Sequence, residues 1–209
     1  MENLKKHLVH NNKTKTIMKN IITLFALAIC LINCKAQQIY PLNTYYENAP
    51  NYAYMKDLDN YLSPYVGTYK ATYQENEITL FITKEDMYLK DYGPGDRKFY
   101  RDVLHVKYIV KKITTGAILQ ENLNPANPRR NKIISIGTNT LDNNSIALTY
   151  SGTNCRVGSG RITLKKINNT QISWSYYPND MLLSDGDCPG NPDIKIYLPD
   201  TENLVFTKQ

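Results

Sequence analysis

Hydrophobic positions follow three different spacings along this chain. A continuous apolar run fills Ile21 to Ile32. A three-and-four spacing comes next, at Tyr54, Met55, Leu58, Tyr61 and Leu62, and Ser63-Pro64 ends it. That helical period predicts one short N-terminal helix, or a pair of turns. From Tyr65 the period becomes two. Val66, Thr68, Lys70 and Thr72 alternate with Gly67, Tyr69, Ala71 and Tyr73, and Gln74-Glu75-Asn76 turns the chain. Ile78, Leu80 and Ile82 then alternate with Thr79, Phe81 and Thr83, which completes a hairpin pattern.

The two-residue period recurs at 100–112, 117–121, 132–138, 145–150, 160–167, 171–177, 193–198 and 204–208. The separators carry turn residues: Gly93-Pro94-Gly95-Asp96, Thr115-Gly116, Asn124-Pro125, Asp142-Asn143-Asn144 and Asn168-Asn169. Short strands in direct succession, with no helices between them, mean an antiparallel meander. Open sheet edges invite aggregation, so such a chain closes on itself or packs as two sheets. The expected class is all-β with one short N-terminal helix. A small up-and-down barrel is the favoured form, and a two-sheet β-sandwich is the alternative. No repeat of about 20–50 residues points to a solenoid or propeller.

The apolar run is too short for a bilayer span, which needs roughly 20 residues. Following Met18-Lys19-Asn20, it fits the hydrophobic region of a signal peptide. Two cleavage sites compete. Leu31-Ile32-Asn33-Cys34 reads as a lipobox, which would make Cys34 the acylated first residue, although Asn33 is bulkier than the usual small residue there. The rival cut falls after Ala36, with Cys34 and Ala36 as the small residues. The first predicts a lipid anchor in the envelope, on the periplasmic face of the outer membrane; the second predicts a secreted or periplasmic chain. Residues 1–17 read as a start-codon extension or a long basic n-region, 18–33 as signal peptide, 34–51 as a tether and 52–209 as a single β-rich domain.

The leader also changes the meaning of the charge. Residues 1–33 hold five lysines against Glu2 alone, so they supply +4 of the formal +6. The rest carries +2, with Arg129-Arg130 and Lys165-Lys166 as isolated pairs. A nucleic-acid partner needs a clustered basic surface, and that class is excluded. Of four cysteines, Cys30 lies in the signal and Cys34 at the lipobox, which leaves Cys155 and Cys188 as a pair for an oxidising compartment. All 17 tyrosines follow residue 39. Tyrosine suits strands and also offers a ring with a polar tip, so it can serve as wall or as ligand-facing lining.

Candidate chemistry is sparse. Gly158-Ser159-Gly160-Arg161 precedes a strand pattern, not the helix a phosphate loop requires, and reads as a turn. Asp185-Gly186-Asp187 lacks the spacing of a calcium loop. His105 is the sole histidine beyond the leader and sits in a strand without a legible nucleophile. Glu77, Glu85, Asp86, Asp102 and Glu121 read as surface residues flanking strands and turns. No cofactor and no metal is expected.

Several segments together resemble one family. They are Cys34-Lys35-Ala36-Gln37, Pro41-Leu42-Asn43-Thr44, the stretch from Tyr54 to Asn60, Tyr65-Val66-Gly67-Thr68-Tyr69, and Leu198-Pro199 with the terminal Leu204 to Gln209. The chain resembles an uncharacterised family of small secreted proteins and lipoproteins of Bacteroidetes-type bacteria over most of 18–209. Tyr69 departs from the tryptophan expected there. The resemblance implies an envelope location and a β-rich fold, and no activity. Val66-Gly67-Thr68-Tyr69 is also similar to the first strand of lipocalin-type barrels, where G-x-W marks a closed end. The expected function is non-enzymatic binding of a small ligand or an envelope component by a lipocalin-like barrel. The alternative is a structural or protein-interaction role without a pocket. A hydrolase is a third reading, with no catalytic set to support it.

Overall fold

The computed structural model describes residues 19, 37–124, 130–142, 144–183, 188–190 and 192–209. Cys34, Ala36 and the apolar run lie outside the described residues, as do Asp185, Gly186 and Asp187.

Among the described residues, eleven strands follow in chain order. They are β1 (Ile39–Pro41), β2 (Tyr54–Lys56), β3 (Gly67–Tyr73), β4 (Asn76–Lys90), β5 (Phe99–Lys112) and β6 (Ile118–Glu121). The others are β7 (Ile133–Asn139), β8 (Ser145–Tyr150), β9 (Gly160–Lys166), β10 (Gln171–Pro178) and β11 (Leu204–Lys208). Hydrogen bonding runs in the order β5-β4-β3-β11-β10-β9-β8-β7, and β7 pairs back onto β5. Eight antiparallel strands therefore close into a barrel. It is a meander, with closure between the first strand of the ring, β3, and the last, β11. The barrel expectation holds and the sandwich does not.

Alternation supplies the core. Ile78, Leu80 and Ile82 of β4 face inward with Leu104, Val106, Tyr108 and Val110 of β5. Ile146, Leu148 and Tyr150, Ile162 and Leu164, and Ile172, Trp174 and Tyr176 complete the ring, each no more than 3% exposed. Aromatic side chains bridge the interior in succession. Ring centroids are 6.3 Å apart for Tyr108–Tyr150, 6.0 Å for Tyr150–Tyr176, 6.3 Å for Trp174–Tyr176 and 5.9 Å for Trp174–Phe206. In a barrel of eight strands the interior is just wide enough for side chains to fill, and here they fill it.

The expected N-terminal helix is not formed. Tyr54, Met55 and Lys56 are a strand, paired in parallel with the stretch of β5 that starts before β7 joins it (Tyr54↔Tyr100, Met55↔Arg101). Beyond it, the Asp57 side chain takes the N–H groups of Tyr61 (2.8 Å) and Leu62 (3.0 Å). A side-chain acceptor thus replaces the helical carbonyl and turns the chain. A 3-10 turn over Ser63–Tyr65 follows, and Leu62 and Tyr65 are buried with the barrel core.

Two other expectations differ. Most of the predicted tether is folded, because β1 pairs with β2 and both Leu42 and Ala49 are buried. Ala49, Ala53, Met55 and Phe99 form a second small core, with Tyr40 and Tyr46 against it. Residues 193–198 form no strand. Ile196 and Leu198 instead pack on the barrel core. Cys155 and Cys188 form the expected disulfide, with Cα atoms 5.4 Å apart, tying the β8–β9 loop to the long β10–β11 connection.

Candidate functional site

Four of the core tyrosines, Tyr65, Tyr108, Tyr150 and Tyr176, spend their hydroxyls on the barrel's own backbone and side chains. Tyr108 donates to Oε1 of Gln120 at 2.8 Å, and its oxygen lies 3.1 Å from that of Tyr150. Tyr150 reaches Oδ1 of Asn131 at 3.2 Å, and Tyr176 donates to the Gly158 carbonyl. Tyr65 donates to the Asn144 carbonyl and accepts from the Lys166 N–H. Burial pushes Tyr65 and Tyr150 up to about 12, and Tyr108 and Tyr176 further. These are structural phenols, packed among the side chains of the barrel core.

The outer wall is different. β5 pairs with β7 at His105↔Ile134 and Val106↔Ile133, and with β6 from Ile109 onward. A gap is left at Lys107 and Tyr108, and Asn122 fills it. Its Oδ1 accepts the Tyr108 N–H at 2.6 Å, and its Nδ2 donates to the carbonyls of Val106 (3.3 Å) and Asn131 (2.7 Å). The buried Asn122 amide thus stands in for a missing strand residue.

Over this gap lies a pocket of about 400 Å³. β4 contributes Thr83 and Glu85, β5 contributes His105 and Lys107, and the approach to β7 contributes Arg130, Asn131 and Lys132. That volume falls within the small-ligand range of about 300–1,000 Å³.

Its electrostatics are uneven. Oε2 of Glu85 lies 2.8 Å from Nε2 of His105, yet it is not aligned as a hydrogen-bond partner for that buried nitrogen. Burial lowers the His105 pKa most; Glu85 opposes that shift and Lys132 adds to it. Lys132 donates to the Tyr88 hydroxyl and sits 4.7 Å from the ring centroid, while Lys90 lies 5.2 Å from the same centroid. Lys90 is 8% exposed. Its burial, then the neighbouring Lys132 and Arg101, push its pKa down to about 8. Among the described residues, no carboxylate forms an ion pair with Lys90, Lys107, Arg130 or Lys132. Lys107 donates to the Leu123 carbonyl at 2.8 Å, a neutral partner that leaves its charge uncompensated. Chemically, such a wall suits a small anion.

The other sequence candidates resolve differently. The Gly158–Arg161 stretch is a turn into β9, with Gly158 at φ +72°, where a Cβ would sit 2.9 Å from the Tyr176 hydroxyl. Asp193 is occupied locally, accepting from the Lys195 N–H (2.9 Å) and the Tyr197 hydroxyl (2.8 Å). Among the described residues, no group of three or more His, Cys, Asp or Glu side chains could hold a metal. Asp102 is not the surface residue expected, being 1% exposed. It accepts from Tyr54, from the Asp57 N–H (2.9 Å) and from the Met87 N–H (3.1 Å), which makes it a structural pin. The sequence reading missed Asn122, Arg130 and Lys132 as lining. They converge only through the register of β5 with two different partners, and Lys132 carries no motif.

Fold and wall together define a closed eight-stranded meander barrel with a filled interior and a cationic outer pocket. The family described as "Family of unknown function (DUF6705)" matches residues 18–209, and the chain belongs to it. Comparison with curated proteins and with solved structures gives no match.

Proposed function

We propose that this protein is exported, acylated at Cys34 and held on the periplasmic face of the outer membrane, where it binds a small anion in the outer-wall pocket without transforming it. One observation carries the binding reading: Lys107, Arg130 and Lys132 line a single pocket in which, among the described residues, Glu85 is the one carboxylate. The packed core supports reading the outer wall, not the barrel mouth, as the ligand site. The leader pattern and the Cys155–Cys188 disulfide support export. Cleavage after Ala36 would release the same domain into the periplasm.

Native mass spectrometry of protein purified from its own envelope tests both parts. An acylated N-terminus at Cys34 is expected, and an unmodified chain beginning at Gln37 would overturn the anchor. Calorimetric titration with inorganic phosphate and with acetate tests the pocket. The pair Arg130→Ala and Lys132→Ala should weaken binding about tenfold or more, equivalent to about 1.4 kcal/mol. Equal affinity in the wild type and the pair would sink the assignment. The filled lumen also supports a second reading, a protein-interaction role without a small ligand. Co-purification of one envelope protein, with neither anion titrating, would favour it.

A further inference from the structure

Most of the molecule's tyrosines are buried or half-buried, and those exposed as large apolar surface are Tyr45, Tyr52, Tyr92 and Tyr177. Three of these four lie on the wing built by β1, β2 and the loop before β5. Tyr45 and Tyr46 have ring centroids 5.2 Å apart, Tyr46 and Tyr92 6.3 Å, and Tyr46 stacks on Phe99 at 5.6 Å. This raft rests on the small core of Ala49, Ala53, Met55 and Phe99. Tyr45 is 57% exposed and Tyr92 60%. Tyr52, whose N–H donates to the Lys98 carbonyl at 2.6 Å, extends the surface.

We infer that this tyrosine wing is a membrane-contact surface, seated among the headgroups of the bilayer that holds the Cys34 anchor; the inference rests on the lipid-anchor reading. β1 begins at Ile39, five residues after Cys34. Fully extended, five residues reach at most about 18 Å, so the wing cannot move far from the acylated residue. A headgroup layer is roughly 5–8 Å thick on each side of the hydrocarbon. A tyrosine ring with a polar tip is the side chain that prefers this layer. Glu47 lies beside Tyr45 and Tyr46, and Asp96 near Tyr46, so the raft carries carboxylates at its rim while its cations are spent locally. Arg97 spends its guanidinium on the carbonyls of Glu47 and Ala49, and Lys98 pairs with Asp91 at 2.8 Å. With Arg97 and Lys98 engaged and carboxylates at the rim, the occupant is a net-neutral, zwitterionic lipid interface, not an anionic protein or an anionic lipid surface.

The ring order supplies an internal control. β2 pairs with β5, and β10, which carries Tyr177, stands four strands from β5 in either direction around the barrel. Tyr177 is thus on the opposite wall.

The test places the full mature chain, with its anchor, in phosphatidylcholine vesicles containing a bromolipid labelled near the headgroup end of its acyl chains. Buried Trp174 gives a protected background. The variant Tyr92→Trp should show blue-shifted emission and quenching several times that of Tyr177→Trp. Equal quenching of the two variants, or none, would overturn the inference. Intact mass separates this from the anchor. An acylated chain without Tyr92→Trp quenching refutes the wing alone. A chain starting at Gln37 refutes the anchor; the wing then stands or falls on whether added vesicles quench Tyr92→Trp.

Discussion

The N–H of Met87 donates to Oδ1 of Asp102 at 3.1 Å, closing a one-residue bulge in β4. Glu85 faces Val103 across the ladder but Tyr88 faces Arg101, and Met87 absorbs the extra residue at φ +55°. The same buried carboxylate holds Tyr54 and the Asp57 N–H, so it joins the bulge to the N-terminal segment. Lys84 approaches both Asp57 (3.7 Å) and Asp102 (3.8 Å). The bulge also reverses the facing of β4, which puts Tyr88 and Lys90 on the outer wall beside His105.

Replacing Asp102 with alanine therefore strands several buried donors at once. Removing one partner from a buried charged network costs about 3–5 kcal/mol. Urea unfolding of Asp102→Ala should show a loss on that scale, whereas Tyr54→Phe, which deletes a single donor, should lose about 1–2 kcal/mol. Similar losses in the two variants would contradict the pin.

Stability should pass through a maximum near pH 10. Unfolded, Lys90 keeps its proton to about pH 10.5; folded, it loses it near pH 8. Between these values the unfolded chain binds more protons, so stability rises with pH. The buried tyrosines act in the opposite sense. Tyr65 and Tyr150 ionise near 10 when unfolded and only at about 12 when folded, so their contribution is complete below pH 10 and disappears above it. Denaturation between pH 7 and 12 checks both limbs. Lys90→Met should stabilise the fold at pH 7 by on the order of 2–3 kcal/mol and remove the rise, leaving the fall above pH 10 intact.

Reducing the disulfide should loosen the β10–β11 connection first. Cys155 and Cys188 are 33 residues apart, and cross-linking that loop contributes about 3–4 kcal/mol in the chain-entropy model. The double variant Cys155→Ser with Cys188→Ser should unfold at correspondingly lower urea concentration. Hydrogen exchange should quicken at 188–198 before it does in β3 or β4. Uniform quickening would mean that the bridge holds the barrel itself.

The barrel strands were legible because alternation and burial coincide there. Ser145–Tyr150 and Leu204–Lys208 have the expected limits to the residue. β1 and β2 were not legible. Each has three residues, and they exist because β5 offers an edge, a fact no local pattern records. The far half of β4 was hidden by its bulge, since after Glu85 the inward and outward positions exchange. The disulfide followed from elimination among four cysteines. The outer pocket did not, because Asn122 and Lys132 meet His105 only where β5 passes from one partner to the next.

Tyr69 gives the sharpest contrast among the tyrosines. It is fully buried and, among the described residues, its hydroxyl has no hydrogen-bond partner. Lys208 lies 5.8 Å from the ring centroid and donates to the Val66 carbonyl at 2.9 Å, so its ammonium caps the ring face and leaves the phenol unsatisfied. A desolvated, unpaired hydroxyl costs about 1–3 kcal/mol. Tyr69→Phe removes that cost and should raise stability by about 1 kcal/mol. Tyr108→Phe deletes a hydroxyl bonded to Gln120 and close to Tyr150, and should lower stability by about 1–2 kcal/mol. Opposite signs in parallel urea titrations are the expected result. A loss in Tyr69→Phe as large as that in Tyr108→Phe would mean that the Tyr69 hydroxyl has a partner after all, with buried water the first candidate.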